Sequence, residues 1–275
     1  MTARSQRGLA LALGGALALL FTVVGAFQIA GWTVGAVART SRQVLHGPVE
    51  RVTVDAGSGE VVVVAGASDE VRVDSTVTGS LHTPRLRAVK DGAQVRMRAA
   101  CPSVSFGPCR ASIVVHVPAA TAVDVRAGDG ELTAEDLTGA VRLHAGAGDV
   151  NATGLRGDAD LSTGSGNVNV RDLRGRTSLR TDSGDISGDQ LAAARVEAVT
   201  ASGDIDLDFV GAPRDVDVAS ASGDVQVALP RGASYRVVAD TGSGDSRTDV
   251  RTDPDSPRVV RARTSSGNVG IDYRN

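Results

Sequence analysis

With 275 residues, 29 Lys and Arg against 32 Asp and Glu, and a formal net charge of −3, the chain has room for one domain of good size or two small ones. It is mildly acidic and has no basic run, so charge gives no reason to expect nucleic acid. Aromatic residues make up only 3% of the chain, so a core must be narrow and built from Val, Leu, Ile and Ala.

Residues 1–8 form a short tail with Arg4 and Arg7, and no charged residue occurs from Gly8 to Ala38. Leu9 to Ile29 is almost wholly apolar, long enough to cross a bilayer as a helix, and Trp32 stands where an interfacial aromatic would. We expect a transmembrane signal anchor over residues 9–31 with its N-terminus inside. The rival reading is a cleaved signal peptide, for which Ala36-Val37-Ala38 offers a small-x-small site. Both readings place the rest of the chain outside the cytoplasm. Residues 32–47 read as a linker, and 48–275 as the extracytoplasmic domain.

Val49, Val52 and Val54 lead into DAGSGEVVVV, followed by Val71 and Val73, an alternation that predicts strands with one apolar face. Between residues 75 and 118 the regular pattern is lost. Leu86 to Arg98 predicts a hairpin across Asp91-Gly92, and Ala111–Val117 and Ala122–Arg126 predict two further strands. We read this irregular part as an inserted sheet that covers the open first edge of a repeat stack. Cys101 and Cys109 flank PSVSFGP, and outside the cytoplasm so close a pair is most simply a disulfide, worth about 2–3 kcal/mol for a short loop. No His or further Cys stands at metal-ligand spacing beside them.

From Ala127 one phrase recurs: AGDGEL, AGAGDV at Ala145, TGSGNV at Thr163 and TDSGDI at Thr181, with 18 residues between starts. Glycines at 130, 139, 148, 157, 166, 175 and 184 halve that interval. A short fixed period means that one unit cannot bury its apolar face alone and must stack on copies of itself. The fold class expected is all-β, a single parallel β-solenoid of 18–23 residues per rung, with later rungs starting at Thr200, Ser220, Thr241 and Thr264. Three inward columns result: Val150, Val168, Ile186, Ile205 and Val225; Leu137, Leu155, Leu173 and Leu191; and Leu143, Leu161 and Leu179.

The position after the phrase glycine is acidic or Asn throughout, and Asp149, Asp185, Asp204, Asp224 and Asp245 are the candidates for cation contact. Calcium between turns would require the spacing of the repeats-in-toxin nonapeptide, with Asp two residues after Gly, whereas here Asp follows Gly at once. Turn chemistry, with the side chain accepting a local backbone N–H, is the preferred reading, and no metal or other cofactor is expected. The Ser and Thr columns (Thr163 through Thr264, and Ser165 through Ser266) suggest either a flat hydroxyl face for a glycan or small polar residues fitted to tight stacked turns. His46, His82, His116 and His144 are scattered, and no nucleophile elbow, zinc motif or phosphate loop is present, so no catalytic residue is nominated and no enzyme is expected.

Repeated [TS]-x-SG-[DN]-[VI]-x-[VL] phrases behind a single apolar N-terminal segment resemble the bacterial "putative adhesin" family of β-strand-repeat proteins, a domain of unknown function, over about Val49 to Tyr273. The resemblance implies a β-solenoid on the outer face of a bacterial cell membrane and carries over no catalytic residue. The function expected is an anchored, adhesin-like binding or scaffold module with a protein or cell-wall glycan partner. The alternative is a cell-envelope stress sensor, or a regulatory partner of a neighbouring membrane protein.

Overall fold

The computed structural model describes residues 37–67, 69–79, 85–100 and 109–274, and every regular element among them is a β-strand. The expected membrane segment over 9–31 lies outside the described residues, as does Cys101. Among the described residues no helix is long and apolar enough to cross a membrane.

The first strands are β1 (Val37–Leu45), β2 (Arg51–Gly66), β3 (Val71–Gly79), β4 (Arg85–Asp91), β5 (Gln94–Ala100) and β6 (Cys109–Pro118). β2 runs through both sheets of the solenoid: its first half pairs with β5, and its second half, from Gly59, pairs in parallel with β6. Each later rung repeats that shape with one strand in each sheet, joined at the phrase turn. The rungs are β7 (Ala122–Asp129) with β8 (Leu132–Glu135), β9 (Val141–Ala147) with β10 (Val150–Thr153), β11 (Ala159–Ser165) with β12 (Val168–Arg171), and β13 (Thr177–Ser183) with β14 (Ile186–Leu191). They continue as β15 (Arg195–Ser202) with β16 (Ile205–Phe209), β17 (Asp215–Ser222) with β18 (Val225–Leu229), β19 (Arg236–Ser243) with β20 (Ser246–Thr248), and β21 (Val259–Ser266) with β22 (Val269–Tyr273).

The nonapeptide is therefore half a rung, one strand plus one turn, and the two sheets face each other across a thin core. Adjacent rungs pair in parallel and in register, for example Val150 with Val168, Val168 with Ile186, and Leu143 with Leu161. Successive side chains of a strand point to opposite faces, so an 18-residue step returns every side chain to its own column. All three expected columns are inward: Leu137, Leu143, Leu155, Leu161, Leu173, Leu179 and Leu191 are at most 1% exposed. Burying each such leucine is worth about 2 kcal/mol. Ten parallel rungs, counting β2 and the β5–β6 pair, make a stack about 48 Å long at the usual strand spacing.

The ends depart from the sequence reading in three ways. First, residues 37–45, expected as part of the linker, form β1, which pairs antiparallel with β3 along its whole length. Nothing in VARTSRQVL alternates cleanly, and the strand is held by backbone pairing, by Arg42 on Asp74 at 2.6 Å and by Ser41 beside Ser75 at 3.2 Å. Second, the part from 75 to 118 is less irregular than expected. The hairpin is present, but its two-residue turn is Gly92-Ala93, one residue later than expected, with Gly92 at φ +58°. β5 and β6 then form a true rung outside β2. β3 and β4 lie outside that rung and cover its edges, as an end cover should.

Third, the last two rungs are stacked in reverse of chain order. β21 and β22 pair with β17 and β18, and the earlier β19–β20 rung sits outside them. Side-chain chemistry explains the exchange. The inward residues Val269 and Ile271 of β22 are at most 1% exposed, whereas their register partners in β20 are Ser246 and Thr248. Placing the polar rung at the end spares two hydroxyl residues burial between layers and puts two aliphatic side chains there instead, a preference of several kcal/mol. The returning segment also covers part of the outer edge: Tyr235 of the end rung bridges to Thr252, with Asp253 N–H donating to its carbonyl at 2.9 Å.

Candidate functional site

The phrase turn carries two hydrogen-bond ladders that repeat from rung to rung. In the first, each Asp or Asn after the phrase glycine accepts the backbone N–H of its counterpart one rung on. Asp149 Oδ1 accepts from Asn167 at 2.8 Å, Asn167 from Asp185 at 2.9 Å, Asp185 from Asp204 at 2.8 Å, and Asp204 from Asp224 at 2.8 Å. The ladder then passes to Asn268 at 2.7 Å and on to Asp245 at 3.0 Å, in keeping with the exchanged rung order. The expected turn chemistry holds in kind, but the bond is not local: it spans 18 to 44 residues and ties turn to turn.

In the second ladder the Thr and Ser of the phrase point inward. Thr163, Thr181, Thr200, Ser220 and Thr264 are 2–6% exposed. Each hydroxyl donates to the phrase-glycine carbonyl of the rung before it, Thr163 to Gly148 at 2.8 Å and Thr200 to Gly184 at 3.0 Å among them. This half of the predicted hydroxyl face is therefore core, placed to satisfy carbonyls that the turn would otherwise leave without a partner. Only Ser165, Ser183, Ser202, Ser222, Ser243 and Ser266 are exposed. Phrase glycines lie against one another so closely that a Cβ on Gly203, at φ +154°, would fall 2.0 Å from the Gly184 carbonyl oxygen.

The five candidate acidic residues are thus brought into one line, each of them a member of this ladder. Among the described residues no group of three His, Cys, Asp or Glu side chains could hold a metal ion. Asp185→Asn keeps the acceptor and should change the melting temperature by less than about 2 °C. Asp185→Ala removes it and should cost on the order of 1 kcal/mol. Thermal melts with and without chelator check this; a fall of many degrees on chelation would make the ladder a metal site.

Other side chains come together in ways that the sequence reading did not foresee. His144 Nδ1 lies 2.9 Å from Ser162 Oγ, and the two stand 18 residues apart, which is the one signal that could have paired them. Both face solvent on neighbouring strands, and among the described residues no carboxylate is hydrogen-bonded to the ring to orient it, so the arrangement is a cross-rung contact. On the same face Arg180 pairs with Glu197, Arg261 with Asp215 at 3.0 Å, and Arg263 with Asp217 at 2.9 Å. A shallow depression of about 350 Å³ crosses four rungs here, lined by Val199, Ala201, Ala219 and Ala221 among others.

On the opposite face Asp189, Asp206 and Asp208 crowd together. Partial desolvation by its neighbours, although the residue lies at the surface, and the Asp189 charge push the Asp206 carboxyl above its usual range. Burial raises Asp208 as well, opposed by Arg274 at 3.3 Å. A carboxyl whose folded pKa is raised binds its proton more readily in the native state, so its penalty is felt at neutral pH and relieved as the pH falls through that pKa. Asp206→Asn should therefore raise the melting temperature slightly at pH 7, with the gain shrinking as the pH falls through the raised pKa and gone well below the ordinary Asp value of about 3.9. The side chain is exposed, so the effect is small. The opposite case is Asp172, which Arg156 at 2.9 Å holds below the usual carboxylate range.

These features define the class, a β-repeat solenoid laced by turn-to-turn ladders. The sequence profile of the Toastrack family, DUF4097, matches residues 49–272, and the chain belongs to that family. Among solved structures, a "putative adhesin" from Parabacteroides distasonis superposes with a TM-score of 0.55 at 16% identity, over 86% of this chain and 98% of that one. Another from Bacteroides fragilis gives a TM-score of 0.47 at 10% identity, over 88% and 99%. A comparison with curated proteins finds no match. The likeness to the Parabacteroides protein is one of fold.

Proposed function

We propose that the protein is a membrane-anchored, non-catalytic surface module in which the solenoid presents its repeated outer faces to an extended partner, a cell-wall glycan or another protein. The observation that carries this reading is the regular exposed face itself. The Ser column from Ser165 to Ser266 and the Ala201–Ala221 depression repeat at one-rung spacing, which suits a polymer with its own repeat. Family membership and the adhesin-like neighbours support it. The link between Cys101 and Cys109 belongs to the same reading, since β5 ends at Ala100 and β6 begins at Cys109.

The test is binding of the full chain, held in lipid nanodiscs, to arrays of cell-wall glycans and surface proteins. Binding should be lost when Ser202→Arg and Ser222→Arg are combined, with the melt unchanged. If no ligand is retained, or the substitutions have no effect on binding, the face is not the site. Anchoring is scored separately by retention in membranes after an alkaline wash.

A regulatory role on a neighbouring membrane protein is favoured by one observation: β1 begins at Val37, only six residues beyond the expected membrane segment. In that case cross-linking in the native membrane should capture a single integral membrane partner.

A further inference from the structure

We propose that the β1–β4 end of the stack is a docking face for an anionic lipid bilayer, so that the solenoid stands end-on with its exchanged rungs outermost. This rests on the anchored reading above and deepens it by stating how the body meets the membrane.

Two of the four large aliphatic side chains that the described residues leave exposed are on the two edge strands of this end, Val44 on β1 at 40% and Val89 on β4 at 52%. Arg39, Arg42, Arg87 and Lys90 lie on the same two strands, and Arg96 and Arg98 on β5 just behind. Against them β1, β4 and β5 contain a single acidic residue, Asp91. Arg42 and Arg98 are paired with Asp74 and Asp55 on the next strands in, and Lys90 reaches the carbonyl of His46. Arg39, Arg87 and Arg96 have no ion-pair partner among the described residues, so their charge is free to meet an anionic surface. Basic side chains interleaved with exposed aliphatic ones are what an anionic lipid surface attracts.

The middle of the stack has the opposite sign. Residues 119–235 hold nineteen acidic against ten basic residues, whereas residues 37–118 hold ten basic against seven acidic and residues 236–275 hold seven basic against six acidic. An anionic surface therefore repels the long middle of the stack and attracts the β1–β4 end, while the far end is nearly neutral and lies away from the expected anchor. Chain length places that end within range. Residues 32–36 separate the expected membrane segment from β1, a reach of about 20 Å when fully extended. That upper limit is two to three Debye lengths at physiological salt, about 8 Å each, and the pull strengthens steeply at any shorter distance. The free backbone groups of the β1 and β4 edges then face hydrated headgroups, where water satisfies them.

The experiment uses the full chain reconstituted in vesicles of phosphatidylcholine alone or with three-tenths phosphatidylglycerol. An environment-sensitive fluorophore is attached at Val89→Cys or at Val238→Cys, and spin-labelled lipid is the quencher. The signal of the unsubstituted chain treated with the same dye is subtracted. Quenching at 89 should be several-fold greater in the anionic vesicles, should fall in 1 M salt, and should be lost with Arg39→Glu and Arg87→Glu combined. The probe at 238 should stay unquenched in both. Equal quenching at 89 and 238, or none at 89 in anionic vesicles, overturns the proposal. Release by alkaline wash, with quenching at 89 seen beforehand, refutes the anchor but leaves the docking face standing.

Discussion

Leu155→Asp is expected to abolish the cooperative thermal melt at physiological temperature. Leu155 is fully buried, stacked between Leu137 and Leu173 through backbone bonds of 2.9 and 3.0 Å on either side. Truncation to Ala removes packing at about 2–5 kcal/mol. A carboxylate adds the desolvation of a charge with no partner in a dry column, several kcal/mol more. Domains have only about 5–15 kcal/mol in total, so the sum consumes most of the stability. In a solenoid each rung touches only its neighbours, so failure in the middle separates the two halves as well. Far-UV circular dichroism melts decide it, with Asp185→Asn as a control on a nearby rung. A Leu155→Asp melt within a few degrees of the parent would mean that the column is open to water.

Ending the chain after Arg258 should have the second largest effect, and it should be felt before the cut. Removing β21 and β22 takes away the only rung on which β19 and β20 stack, and leaves β17 and β18 with a bare edge. It also deletes the partners of Asp215 and Asp217. Hydrogen exchange should show residues 236–248 losing nearly all protection and 215–229 losing part, with 122–191 unchanged. Were the rungs stacked in chain order, the same truncation would leave 236–248 protected, since those strands would then rest on β17 and β18. The comparison therefore tests the exchanged order directly.

The middle of the molecule was legible because its information is local. Each 18-residue unit states its own strands, its inward leucine and its turn glycine, and period and burial agree from Ala127 to Ile205. The acidic column was legible as turn chemistry, but its partner was not, because Asp185 and the Asp204 N–H that it binds are neighbours only once the rungs stack. The Ser and Thr columns look alike as residue types. Which is core and which is surface is set by strand alternation after the turn, and the inward carbonyl of the preceding glycine claims the Thr hydroxyl.

By itself, then, the sequence determined an all-β parallel repeat, its period and its aliphatic columns, because those arise from patterns within one or two units. Tertiary structure alone decided the ends. The phrases at Thr241 and Thr264 can both continue the ladders, so nothing local ranks them. The choice came from burying Val269 and Ile271 in a closed layer and leaving Ser246 and Thr248 at the rim. β1 likewise gained its place from the open edge of β3, a partner 26 or more residues away that a local pattern does not reveal.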